Sequence, residues 1–306
     1  MIKRILWVIV LTFLGMAKTL ACDVCGCSLS SLYFGYVSMN DRHFIGLKYS
    51  AASFKAHIDN DDFYFEDEYS HDAYHRIDLT GKFRLNPKFE VRYMLPFISN
   101  HMDGSHQNVR SSGMGDPMVL AYYTVFNTSL NIEGINHSLV LGGGLKLPFG
   151  EFEKVDGGEI INRNFQLGSG SFDYVLSANY MRRLAKYGIN LESSFKMNTA
   201  NKLDYRFGNQ TNLALNIYRY LETVKVSVLP FVGAFFEYGE YHYNQGIKES
   251  NTGGQAVLAT VGVQVFRGRF TLNTQYQIPV SQSFNTDSFA TIKGGNRFSI
   301  GTYFSL

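Results

Sequence analysis

From about residue 42 to Leu306 the chain alternates apolar and polar positions in segments separated by gaps that are short, then long. Between Tyr74 and Leu85, one face carries Tyr74, Arg76, Asp78, Thr80, Lys82 and Arg84. The other carries His75, Ile77, Leu79, Gly81, Phe83 and Leu85. Successive side chains of a strand point to opposite sides, so this segment predicts a ribbon with one wet face and one greasy face. Twelve such segments are read, at about 42–53, 73–86, 88–99, 116–127, 137–149, 171–184, 187–198, 205–220, 224–242, 254–267, 269–283 and 296–306. In the third, Phe89, Val91, Tyr93, Leu95 and Phe97 oppose Glu90 and Arg92. In the eleventh, Phe270, Leu272, Tyr276 and Ile278 oppose Thr271, Asn273, Gln275 and Gln277.

The gaps carry independent information. Links at 86–87, 184–186, 221–223 and 267–268 are tight, with the link from strand four to five, around 127–136, the exception, whereas those after strands one, three, five, nine and eleven run about 10–20 residues, long for hairpins. Segments of this length fit a tilted bilayer crossing of about 9–11 residues plus rims. A closed sheet also pairs every backbone group, as hydrocarbon requires, and has no edge. The expectation is an all-β fold: a transmembrane antiparallel up-and-down barrel of about 12 strands with short periplasmic turns and long extracellular loops. An even strand count puts both ends of the barrel on the short-turn side, with the N-terminus periplasmic. The last strand, with Phe298, Ile300, Phe304 and Leu306 on one face, resembles the signal that bacterial outer-membrane assembly machinery recognises.

Composition agrees with a wall half turned to lipid. Of 306 residues 45% are hydrophobic, with 20 Tyr and 25 Phe, and the apolar and polar halves average out. A formal charge of +2 gives nucleic acid nothing to bind. At the start, Lys3 and Arg4 precede the apolar stretch 5–16, and Thr19-Leu20-Ala21 fits a cleavage site, which marks 1–21 as a signal peptide. Residues 22–41 form a Cys-rich segment and 42–306 the barrel. Leu32, Tyr33, Phe34 and Tyr36 suit that segment to plugging the periplasmic mouth.

The polar faces carry both signs. Arg76, Asp78, Lys82, Arg84, Glu90, Arg92, Glu192 and Lys196 are expected to line the lumen, either as a passage or as a salt-bridge network that closes it. Twelve strands fall between barrels filled by side chains and those that leave a channel. Gly142-Gly143-Gly144 reads as a bend or bulge, or as room for a plug. In the first long loop His57, Asp61, Asp62, His71 and His75 could hold a divalent cation, although an acidic solvated loop accounts for them too. Three readings compete for Cys22, Cys25 and Cys27: a lipid on Cys22, a Cu(I) or zinc site of three thiolates, or a disulfide leaving one cysteine over. No catalytic residue is expected, since neighbours such as His137 and Ser138 face opposite sides of a strand. The chain is not read as an enzyme.

Gly113-Met114-Gly115-Asp116-Pro117 is similar to the Gly-x-Gly-Asp element of outer-membrane barrels related to the phenol meta-pathway transporters. The run from Cys22 to Ser28, followed by Arg42-His43-Phe44-Ile45-Gly46-Leu47-Lys48-Tyr49, resembles Bacteroidetes-type outer-membrane proteins often labelled transporters. The resemblance implies a porin-like conduit or binding barrel in a Gram-negative outer membrane, in contact with its lipid, for a small-molecule or ion solute. The alternative from another class is a copper-handling protein in which the cysteines receive the metal and the barrel is an anchor.

Overall fold

The structure, a computed structural model, describes residues 43–59, 67–105, 107–128, 134–156 and 158–306. Twelve antiparallel strands close into one barrel. They are β1 (Phe44–Ile58), β2 (Glu68–Arg84), β3 (Phe89–Gly104), β4 in two pieces (Asn108–Met114 and Met118–Asn127), β5 (Ile135–Lys146) and β6 (Asp173–Leu184). The circuit continues with β7 (Tyr187–Met197), β8 (Gln210–Arg219), β9 (Ser227–Gly239), β10 (Gly254–Arg267), β11 (Phe270–Phe284) and β12 (Ala290–Ser305). Each pairs with its neighbours in sequence, and β1 pairs with β12 from Phe44↔Ser305 to Ile58↔Ala290, which closes the circuit. The first and last strands of the barrel meet at the end with the tight turns, where the Leu306 N–H donates to the His43 carbonyl at 3.0 Å.

Alternation sets the two faces. On β2, Arg76, Asp78, Thr80 and Lys82 are buried, while Ile77 and Phe83 stand exposed between them. Leu47, Phe97, Leu176, Val232, Val261 and Phe270 are likewise exposed and belong to an apolar belt around the outside. Apolar surface of that extent is stable only against an apolar solvent.

On one side the wall rises beyond the belt, and there its faces exchange character. On β1, Ile45 and Leu47 face out with Lys48 and Ser50 within; from Ala52 on, Ala52, Phe54 and Ala56 are buried and Ser53, Lys55 and His57 face out. On β2 Tyr74 is buried and His71 exposed, on β3 Met102 is buried and Asp103 exposed, and on β12 Ile292 is buried and Lys293 exposed. The exchange falls on one cross-strand row, Phe298, Ala51, His75, Ser99 and Ser112. Below the row the wall meets an apolar exterior. Above it, water lies outside and the strands need an apolar interior.

Several expected boundaries change accordingly; strand two begins at Glu68 rather than 73 and strand twelve at Ala290 rather than 296. Strand one runs to Ile58 rather than 53. The link after strand three is not a long loop, because β3 continues to Gly104 and returns at Asn108.

Candidate functional site

The link between β5 and β6 does not project outward; it turns into the barrel. Residues 147–172 contain a small hairpin pairing Val155–Asp156 with Glu159–Ile160, then a 3-10 turn at Arg163–Phe165. The Asn162 side chain starts that turn by accepting the Asn164 N–H at 2.9 Å, the usual capping bond. Phe165 is 0% exposed, and with Ile161 it packs against Phe54, Tyr74, Met102, Val109 and Ile292 of the wall. Its ring stacks on Tyr74 at 5.3 Å, and its carbonyl accepts the Ser111 hydroxyl at 2.5 Å. The apolar interior above the row thus seats this inward segment.

Its two ends are tied to one carboxylate. Asp116 Oδ1 accepts the Gly150 N–H at 2.9 Å, and Oδ2 accepts the Ser169 N–H at 2.8 Å. Lys146 Nζ lies 2.7 Å from Asp116 Oδ2 and 2.7 Å from Asp173 Oδ2, and also donates to the Ser169 hydroxyl. Asp173 Oδ1 accepts from the Ser171 hydroxyl at 2.9 Å and the Thr199 N–H at 3.0 Å. Two buried carboxylates around one ammonium are tolerable because these donors offset the excess negative charge. The backbones of Gly150 and Gly168 cross in contact over Asp116. A Cβ on Gly150 would stand 2.7 Å from the Gly168 Cα, and one on Gly168 2.5 Å from Asp116 Oδ1. Asp116 therefore fastens residues far along the chain rather than capping a turn of its own.

Beside the inward segment is a cavity of about 130 Å³, lined among others by Tyr74, Arg76, Asn100, Asn164, Leu167 and Lys196. An engineered cavity of about 150 Å³ holds a benzene ring, so this one is of single-ring size. Both amide atoms of Asn164 are buried with no hydrogen-bond partner, a cost of about 1–3 kcal/mol for each orphaned group. At the far mouth the link 198–209 lies against the segment, and 240–253 packs on that link. Arg163 sits 4.9 Å from the centre of the Tyr205 ring, and the Tyr205 hydroxyl bonds His242 Nδ1 at 2.8 Å. His242 is fully buried; that burial, with Lys196 and Arg206 nearby, pulls its imidazole down to about 3.

Most of the polar residues expected within the barrel are buried and mutually engaged. Arg76 pairs with Asp78 and donates to Met94 Sδ at 2.7 Å. Arg92 meets Glu90 at 2.5 Å and lies 4.1 Å from the centre of the Tyr122 ring, while Lys82 is 3.8 Å from Glu90. Glu192 and Lys196 are buried further round. Arg84 is the exception, since it donates to the carbonyls of Asn86 and Pro87 and closes the first tight turn. Sequence reasoning missed the bidentate pair of Arg297 with Glu237, at 2.8 and 2.6 Å. The available signal was a charge on the inward face of each of the two strands, Glu237 on β9 and Arg297 on β12.

Gly142 makes room for the Tyr122 ring of the neighbouring strand, 2.5 Å from where its Cβ would stand, rather than for a plug. His137 bonds the Tyr180 hydroxyl at 2.8 Å, while Ser138 is buried on the other side. His57 lies 3.3 Å from Asp67, His71 is on the outward face of β2, and His75 bonds the Tyr49 hydroxyl at 2.8 Å. Among the described residues no three His, Cys, Asp or Glu side chains gather around a point that could hold a metal. Asp61, Asp62, the signal peptide and the segment 22–41 with Cys22, Cys25 and Cys27 lie outside the described residues. Nothing in the described residues supports the copper-handling alternative.

No family model matches the chain, and neither does any curated protein. Among solved structures it is similar to the COG4313 outer membrane channel from Pseudomonas putida F1, at 15% identity and a TM-score of 0.62 over 88% of this chain and 97% of that one. The transport unit of the autotransporter AIDA-I from Escherichia coli aligns at 12% identity and a TM-score of 0.49, over 92% and 95% of the two chains. A FadL homologue of Pseudomonas aeruginosa aligns at 10% and 0.43, over 87% and 90%. At these identities the likeness is one of fold, and the fold is that of outer-membrane barrels.

Proposed function

We propose that the chain is a channel of a Gram-negative outer membrane that passes a small solute, with the short turns and N-terminus periplasmic. The observation that carries this reading is the inward segment 147–172. It is fastened at both ends to Asp116, narrows the lumen, and leaves a single-ring cavity beside it. A barrel that served only as an anchor would need no such segment. The paired charges below it, Asp78 and Lys82 among them, are almost fully buried and hold the wall together. Membrane lipid would contact the belt, and the assembly machinery would receive β12, whose Phe298 and Phe304 face out.

The test uses the full-length protein and a Δ22–40 truncation in planar bilayers, with liposome swelling in solutes of graded size. Discrete conductance steps are expected, with permeation falling off above single-ring solutes. Absence of both conductance and swelling from both proteins would overturn the reading.

A further inference from the structure

The two ends of the barrel differ in how their charges are arranged. At the far end exposed acids and bases stand in pairs, as in His57 with Asp67, His101 with Asp103 and Lys202 with Glu153. At the short-turn end the exposed charges are almost all of one sign. Lys88, Lys186, Lys225 and Arg267 are exposed at four of the turns, and Arg182 and Arg219 are exposed on the wall beside them. Among the described residues Glu222 is the one exposed acidic side chain at that end, and none of these six cations forms an ion pair.

A rim of like charges repels itself unless counter-charge comes from outside the chain. Its height along the wall shows where that counter-charge lies. Lys88 precedes Phe89, Lys225 follows Val224, Lys186 is two residues from Leu184, and Arg267 is three from Phe270; all four apolar side chains are exposed. At about 3.3 Å per residue these cations stand within about 10 Å of the lower edge of the belt, about one Debye length. Exposed aromatic rings share that height. Phe89 meets Tyr123 with ring centroids 4.9 Å apart, and Phe270 meets Phe304 at 5.0 Å. Such rings sit at headgroup level in membrane barrels.

The side chains also lie along the wall. The Arg219 guanidinium is 5.5 Å from the centre of the exposed Tyr187 ring, and both project from the outer face. Long basic side chains can thus cover apolar surface with their stems while the charge stays among headgroups. The cations are spread over the turns β2–β3, β6–β7, β8–β9 and β10–β11, four of the six at this end. A collar that follows the wall suits a surrounding shell of lipid better than the face of one soluble protein.

We propose that this collar is a docking surface for the phosphate headgroups of anionic phospholipids in the leaflet at the short-turn end. With the orientation given above that is the periplasmic leaflet, and the inference rests on the channel reading for that assignment alone. Each basic side chain held near an anionic surface raises association several-fold, and salt screens the gain.

The test reconstitutes the full-length protein in phosphatidylcholine vesicles and measures association of spin-labelled phosphatidylglycerol against spin-labelled phosphatidylcholine. The intact protein is expected to prefer phosphatidylglycerol several-fold in low salt, and to lose the preference at about 1 M salt. A triple variant, Lys88→Gln, Lys186→Gln and Lys225→Gln, should bring the preference close to one. Lys55→Gln, Lys248→Gln and Lys293→Gln together remove the same charge from exposed positions at the far end and should leave it unchanged. Equal association of both lipids with the intact protein overturns the proposal. So does a preference that the turn variant keeps, or that both triple variants lose alike. If the intact protein shows no lipid preference but retains polyglutamate, and the turn variant does not, the collar belongs to an acidic protein instead. Labelling of Lys186→Cys, in a Cys22, Cys25 and Cys27→Ser background, by an impermeant maleimide on intact cells overturns the orientation and the periplasmic leaflet with it. Absence of conductance from the same vesicles removes the channel reading and leaves a measured headgroup preference standing.

Discussion

Replacing Asp116 with Asn should release the inward segment. The two side chains have nearly the same volume, so the change acts through hydrogen bonding alone. Asp116 Oδ2 accepts from Lys146 Nζ, the Ser169 N–H and the Ser169 hydroxyl, and Oδ1 accepts from the Gly150 N–H. In Asn one of the two positions becomes an NH₂ group. Even if its oxygen keeps the position shared by three donors, the amide nitrogen then confronts the Gly150 N–H. Hydrogen bonds to a charged group are worth about 1.5–3 kcal/mol each and do not add fully, so a loss of about 3 kcal/mol is expected. Lys146 retains Asp173, which keeps the site from holding an unpaired charge and lets the barrel fold. At about 1.4 kcal/mol per tenfold, the detached population should rise about a hundredfold. Trypsin reads this directly, because Lys154 and Arg163 lie within the segment. Cleavage there should accelerate markedly, and single-channel conductance should rise as the segment leaves the lumen. Unchanged cleavage together with unchanged conductance would refute the anchoring role.

Further outcomes follow from other contacts. Phe165→Ala removes a fully buried ring and should loosen the same segment by about 3–5 kcal/mol, read as faster hydrogen exchange across 147–172 with the barrel ladder unaffected. His242 is neutral in the folded state, its imidazole lowered to about 3, but takes a proton below about 6.5 once exposed. Stability of the far mouth should therefore fall as pH drops from 6.5 toward 3, by about 2 kcal/mol at pH 5. Exchange in 240–253 that is the same at pH 5 and pH 7.5 after intrinsic correction would contradict this. The exchange of faces predicts opposite tolerance along the outside. Val261→Lys, within the belt, should cost about 2–4 kcal/mol, whereas Thr291→Lys, above the row, should lie within about 0.5 kcal/mol. Urea unfolding in lipid vesicles compares the two.

The barrel was legible because alternation has a period of 2 and persists through every crossing. Strand count, closure order and the inward set from Arg76 to Lys82 all come from it. What escaped is physical in origin. At the row through Ala51 and His75 the outward face turns polar and the inward face becomes mostly apolar while the ladder between β1 and β2 continues without a break. A pattern read for one solvent boundary therefore sees a strand end at 53 or begin at 73 where none exists. The inward segment escaped for a related reason. Its Phe165 and Ile161 are too few and too irregularly spaced to signal an element, and they acquire a surface to bury against only because the wall above the row is apolar within.

That dependence ties the site to the fold. A barrel cut to bilayer height would lack this cluster, with nowhere for Phe165, Phe54 and Phe284 to meet. The raised wall of β12, β1, β2, β3 and the first piece of β4 supplies that place, and β11 parts from β12 beside it, above the pair Gln277↔Arg297. The apolar cluster lies against both the segment that narrows the lumen and that parting. Releasing Asp116 and removing the Gln282 bonds to Gly294 should therefore be coupled, since Phe54 packs in the cluster that seats the segment and on the ring of Phe284. In a double-mutant cycle of Asp116→Asn with Gln282→Gly, trypsin cleavage at Arg163 should exceed the product of the two single effects. Strict additivity would mean that the inward segment and the parting of β11 from β12 respond independently.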